Sequence, residues 1–193
     1  MKTTHDPPLA VAINGLMAGM LGALAVTVMV RLGWAVMGGR PHADTTDGPA
    51  GISAAEALSE APDVPPAMNQ VTATFVQKVA TGLFGTSLTP EQQAQAGLAW
   101  HLAYGGFWGM LYALVQASSS VPQSVLGPAW GVVVWAIGPG WLVPKMKLML
   151  APTQQQPRLT TMVIGVHAAY GAVVALVVHL LGRDDEARGG AWR

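Results

Sequence analysis

Four apolar stretches, each near the length needed to cross a bilayer, constrain this chain more than any other feature. Leu9 to Met37 is almost unbroken over 29 positions. At ~1.5 Å per helical residue, that exceeds the ~20 residues a membrane-spanning helix needs. A second stretch runs from about Gly97 to Ala117, a third from Leu126 to Val143 and a fourth from about Leu159 to Leu181. Only 10% of the 193 residues are charged, against roughly 25% in soluble domains. The pattern predicts an all-α, polytopic membrane protein whose main partner is the lipid bilayer.

Local signals place the helix ends. The first span covers 9–37. The lone Lys2 before a run too long for a signal-peptide core, with no small-residue cleavage site, marks it as a retained helix. Thr89-Pro90-Glu91-Gln92 combines a capping hydroxyl, a proline at the first helical position and a Gln three residues after the cap. The second helix therefore spans 90–118. The third, 126–150, is interrupted near 138–140, where Gly138-Pro139-Gly140 removes a backbone donor. The fourth covers 157–182, opened by Pro157 and closed by Gly182, with a polar tail over 183–193.

Between the first two spans the composition changes. Residues 38–66 are rich in Gly, Pro, Ala and Asp and read as an irregular loop. Over 67–87, Met68, Val71, Phe75, Val79 and Leu83 recur every three or four positions opposite Gln70, Thr74, Gln77 and Lys78. That spacing predicts an amphipathic helix, lying on the bilayer surface or folded onto the protein.

The chain contains a phrase twice: His101-Leu-Ala-Tyr104-Gly105 and His167-Ala-Ala-Tyr170-Gly171. Each sits in the N-terminal half of its helix, and with two crossings between them the two helices run the same way. His101, Tyr104, Gly105, Trp108, Gly109 and Tyr112 form one helical stripe. His167, Tyr170, Gly171, Val174, Ala175 and Val178 form its counterpart. Four spans arranged as two related hairpins would bring these stripes face to face at the bundle centre. Gly105, Gly109 and Gly171, with Gly15, Gly19 and Gly22 on the first helix, are small residues that permit close helix approach.

Three readings of the His/Tyr pairs remain open. His101, Tyr104, His167 and Tyr170 form a structural hydrogen-bonded cluster; or they line a polar site for a proton, an ion or a small solute; or His101 and His167 ligate haem or a metal. Nothing else in the chain marks a haem site, so no cofactor is expected. His179 lies about a third of a turn off the face of His167, and His5 and His42 fall in polar segments. Arg31, near the end of the first span, can snorkel to the headgroups. Trp34, Trp100, Trp130 and Trp141 fall near helix ends, where indoles favour the interface.

Other chemistries are excluded or unsupported. The formal net charge is zero and no basic patch forms, so no nucleic-acid partner is expected. The chain has no cysteine, which removes disulfides and thiolate chemistry. No phosphate-binding loop, nucleophile elbow or close carboxylate pair in an apolar setting is present, and the chain reads as a non-enzyme. A structural, accessory or stress-related role leads, with proton or solute transport as the alternative and electron transfer through haem third. Basic residues divide too evenly to settle orientation, although Lys145, Lys147 and Arg158 favour a cytoplasmic place for their loop. A small four-helix protein has little room for a private cavity, so self-association or a larger complex is expected.

The order of motifs resembles a known group. Gly33-Trp34 is followed by Gly38-Gly39-Arg40-Pro41, a long loop, and a His-x-x-Tyr-Gly helix. A Gly/Trp/Pro helix then ends in Pro144-Lys-Met-Lys147, and the last helix carries Gly165-x-His167-x-x-Tyr170-Gly171. This is similar to the YagU-like group of small bacterial inner-membrane proteins. It departs from that group in having Gly38-Gly39 where twin prolines usually precede the loop arginine. The resemblance implies a multi-pass protein of the bacterial inner membrane linked to acid stress, and carries over no catalytic residues.

Overall fold

The computed structural model describes residues 7–36 and 68–190, with no strand among them. Helix α1 runs Pro8–Val36, α2 Met68–Phe84, α3 Pro90–Ser118 and α4 Gln123–Ile137. A π-helical turn, Gly138–Leu142, leads into the three-residue α5, Val143–Lys145. A 3-10 turn at Pro152–Gln154 precedes α6, Pro157–Gly190. The irregular loop read over 38–66 lies outside the described residues, as do His5 and His42.

The helix ends follow their chemistry. Thr89 caps α3 with both halves of the capping box: its Oγ1 accepts from Gln92 N–H at 3.2 Å, and Gln92 Oε1 accepts from Thr89 N–H at 2.9 Å. Helix α2 stops at Phe84 rather than at residue 87. Gly85 turns left-handed (φ 64°) and Thr86 N–H reaches back to the Ala80 carbonyl at 3.3 Å, a glycine C-cap. The third apolar stretch begins at Gln123 and leaves the helical path after Lys145, short of residue 150, where Lys147 adopts a φ of 55°. Its expected interruption is a widened π turn: Pro139 has no N–H to offer Trp135, and the backbone accommodates the loss without breaking the rod. The tail expected from 183 is helical to Gly190, because Gly182 is followed by Arg183-Asp-Asp-Glu-Ala-Arg188, with no proline to end the helix.

Three segments are long and apolar enough to cross a membrane: Pro8–Met29, Gln123–Lys145 and Pro157–Gly182. Helix α3 matches α1 in length at 29 residues. Its apolar character is diluted by Trp100, His101, Tyr104, Trp108, Tyr112 and four glycines, Gly97, Gly105, Gly106 and Gly109.

Glycine faces set the packing. Helix α1 lies antiparallel on α3: a Cβ on Gly19 would meet the Gly105 carbonyl, one on Gly15 would lie 2.5 Å from the Ala113 Cβ, and one on Gly109 would meet the Gly15 carbonyl. Helix α4 lies antiparallel on α6 in the same manner, with Gly127 against Gly171 and Ala175, and Gly131 against the His167 carbonyl. Gly22 turns to α6, where its Cβ would meet Val174 at 2.9 Å and Tyr170 at 3.1 Å. The expectation that the two His/Tyr stripes face each other along their length is therefore corrected. Gly105, Gly106 and Gly109 of α3 are covered by α1 and Gly171 of α6 by α4, while α3 and α6 meet at few points. Backbones approach closely where the partners offer small residues, whereas α6 turns the bulky Tyr170 toward α3, its hydroxyl on the Gly105 carbonyl.

The core is small and apolar: Ala18, Ala23, Val26, Tyr112, Val134, Tyr170, Val174 and Ala175, with no buried charged residue among the described residues. Large apolar side chains point outward instead, among them Leu9, Leu24, Val133, Ile137, Leu176 and Leu180. Small inside and large outside suits a bundle solvated by lipid, where association comes from packing and not from the expulsion of water.

Candidate functional site: a chamber lined by His and Tyr

Tyr104 and Tyr170 each sit one turn after their histidine, so each His/Tyr pair projects from one side of its helix. All four side chains border one cavity of about 220 Å³ between α1, α3, α4 and α6. Its remaining walls are almost wholly apolar, including Val26, Val134, Leu142, Val143, Leu159 and Val166. Among the described residues no Lys, Arg, Asp or Glu lines it.

The histidines are held by different partners. His167 Nδ1 lies 2.8 Å from the Val163 carbonyl one turn back, so Nδ1 carries the proton and donates. Its Nε2 takes no part in that bond. Thr27 Oγ1 donates to the Ala23 carbonyl at 2.8 Å, which leaves its lone pairs to accept from His101 Nε2 at 3.4 Å. His101 Nε2 therefore faces α1. Among the described residues no group of three or more His, Asp or Glu gathers to hold a metal ion.

The tyrosines differ more sharply. Tyr170 donates to the Gly105 carbonyl at 2.6 Å and so ties α6 to α3 at the level of the repeated phrase. The Tyr104 hydroxyl is buried without a hydrogen-bond partner, as is Trp108 Nε1 one turn later. Tyr104 instead rests against the π turn, since a Cβ on Gly138 would lie 2.5 Å from its hydroxyl. Trp130 Nε1 donates to the Trp108 carbonyl at 3.1 Å and locks α4 to α3 below the cavity. Tyr112, on the same stripe, reaches away to Gln116 Oε1 at 3.2 Å.

Helix α2 folds onto the bundle rather than standing apart. Phe75 packs on Trp100 with ring centroids 4.6 Å apart, and Trp100, Tyr104 and Trp108 continue the row at 6.3 and 6.1 Å. Val71, Thr72 and Phe75 form part of the cavity wall. Lys78 Nζ donates to the Met146 carbonyl at 3.0 Å and pins α2 to the segment after α5. Gln77 Oε1 accepts from Leu88 N–H at 2.9 Å, fixing the turn into α3. The chamber thus lies under a strap made by α2 and the 146–149 segment. On its other side Ala18, Tyr112 and Val174 are fully buried and the glycine contacts close the bundle.

Phe75 and Trp100 enter the site beyond the four residues singled out from sequence. Phe75 was legible only as one position of an amphipathic face and Gly138 only as part of the helix interruption, and nothing local to Thr27 or Leu142 marks them. His179 borders a separate shallow groove with Gln123, Ser124 and Pro128. The side chains of Arg31 and Trp34 lie outside the described residues. Comparison with the known protein families, with curated proteins and with solved structures finds no match to this chain.

Proposed function

We propose that this chain is a non-enzymatic accessory protein of a membrane, crossing it four times through α1, α3, the α4–α5 rod and α6, and holding a small apolar molecule in the chamber. Placement in a bacterial inner membrane follows from the YagU-like motif order alone. The observation that carries the reading is the shared cavity, in which two His/Tyr pairs border one uncharged, apolar space. A site built this way, mainly apolar with a few convergent polar groups, has the character of a small-molecule pocket. Helix α3 is the fourth span on this reading, its polar side chains turned to neighbouring helices and its single charge, Glu91, in the first turn.

Two measurements test it. The chain has no cysteine, so single cysteines report topology cleanly. Ser87→Cys and Gln154→Cys are expected to react with an impermeant reagent from one side of the membrane, and Ser120→Cys from the other. Labelling of all three from one side would remove α3 as a span. Native mass spectrometry should show one decylbenzene bound per chain, and Val166→Trp, which fills the chamber, should abolish it.

A proton or solute path through the same cluster is the second reading, favoured by the His167 ring, whose Nε2 is outside its hydrogen bond to Val163. Against it stands the closed packing around Ala18, Tyr112 and Val174. Proton flux in vesicles that disappears in the His101→Ala/His167→Ala double variant would replace the binding reading with this one.

A further inference from the structure

We propose that the occupant of the chamber is a neutral phenol on an apolar tail, its hydroxyl donating to an imidazole nitrogen of the His101/His167 pair. The inference rests on the chamber reading above and adds the chemistry of the guest.

The tautomers decide which polar group the chamber accepts. His167 donates from Nδ1 to the Val163 carbonyl, which leaves its Nε2 as an acceptor. The Thr27 hydroxyl donates to the Ala23 carbonyl, so His101 donates from Nε2 to Thr27 Oγ1 and keeps Nδ1 as an acceptor. The buried side-chain atoms without a partner among the described residues are the Tyr104 hydroxyl and Trp108 Nε1. The two histidine nitrogens are therefore not sealed inside packing, and both rings line the chamber. The Tyr104 and Trp108 donors have no surface toward that space. Thr72 and Gln155, also in the wall, have partners of their own, Gln155 on the Leu150 carbonyl. A chamber that offers acceptors and no donor selects a guest that brings its own proton, which a hydroxyl does and a carbonyl, ester or ether does not.

Charge and shape narrow the class. With no charged side chain among the described residues of the wall, an ammonium, carboxylate or phosphate would enter without a counter-charge, which an apolar site does not tolerate. Phe75, Trp100, Tyr104 and Trp108 form a row of rings with centroids 4.6 to 6.3 Å apart, and all four line the chamber. An aromatic ring stacks on such a wall better than an alkyl chain does, which favours a phenol over an aliphatic alcohol. Size agrees: a void of ~10–15 Å³ on this measure holds one water, so about 220 Å³ takes a ring and the start of its tail.

The test is a titration of the detergent-solubilised full chain with three probes sharing one ring and one tail. These are para-decylphenol, para-decylanisole, in which a methyl group replaces the hydroxyl hydrogen, and decylbenzene. The phenol is expected to bind saturably at one per chain and about tenfold more tightly than the other two, the equivalent of one hydrogen bond. In His101→Phe/His167→Phe, which keeps both rings, the ratio of phenol to decylbenzene affinity should fall to about one. His167→Gln, whose amide oxygen can accept where Nε2 accepts, should restore the preference when it replaces His167→Phe in that pair. Binding of decylbenzene by each variant shows that its chamber has folded. Equal affinity for phenol and decylbenzene overturns the assignment and leaves a general apolar site. An anisole as tight as the phenol overturns it too, as does a phenol preference that survives loss of both imidazoles. Binding of no probe removes the chamber reading and the assignment together.

Discussion

Contacts within the helix pairs and the space between the pairs are built on opposite rules. Within α1/α3, Gly15, Gly19, Gly105 and Gly109, and within α4/α6, Gly127, Gly131 and Gly171, let backbones touch. Between the pairs, α3 and α6 carry Trp100, His101, Tyr104, His167 and Tyr170, which border a cavity. One helix therefore serves a clasp on one face and a chamber on another. Side-chain size along each helix decides which, since in lipid no hydrophobic force compels closure.

Substitutions at the clasp should produce the largest effects. Gly19→Leu places a side chain where the Gly105 carbonyl stands, and a loss of about 3 kcal/mol is expected, read by reversible unfolding in mixed detergent. Gly165→Leu, with open space at its Cβ, should stay within ~0.5 kcal/mol. Equal losses at both positions would mean that backbone contact does not set the clasp. At the chamber Phe75→Ala removes the ring on Trp100. A loss of roughly 1.5 kcal/mol confined to α2 is expected, seen as faster amide exchange there while α1 and α6 keep their protection.

The two tyrosines sharpen the contrast within the repeat. Tyr170→Phe removes a hydroxyl bonded to the Gly105 carbonyl and should destabilise by about 1 kcal/mol. Tyr104→Phe removes a hydroxyl with no partner and should leave stability unchanged or slightly raised. Thermal unfolding of the two variants checks this, and a larger loss at Tyr104 would reverse the roles assigned here. The smallest effect is expected from Lys78→Ala, which removes exposed contacts to the Met146 and Lys147 carbonyls and should cost about 0.5 kcal/mol, measured as protease sensitivity of the 146–155 segment.

Much of the frame is legible in the order of residues. The apolar runs announce helices because a lipid-exposed backbone has no other way to satisfy its polar groups across that length. Thr89 with Gln92 marks the start of α3, and Pro139 marks the π turn that follows α4. The repeated His-x-x-Tyr-Gly phrase points to residues that do gather around one cavity. The reach of α6 past Gly182 was less legible, because a glycine ends a helix only when the chain after it turns away.

Sequence alone determined the helical class, the apolar stretches and the identity of the four polar residues, all of which depend on composition and spacing within one helix. The partner of each face was decided by the tertiary structure. Gly22 turns to α6 while Gly15 and Gly19 turn to α3, and two tyrosines in the same local phrase end with and without a hydrogen-bond partner. Those outcomes depend on which distant backbone arrives beside each side chain. That is a property of three-dimensional packing, and no local pattern encodes it.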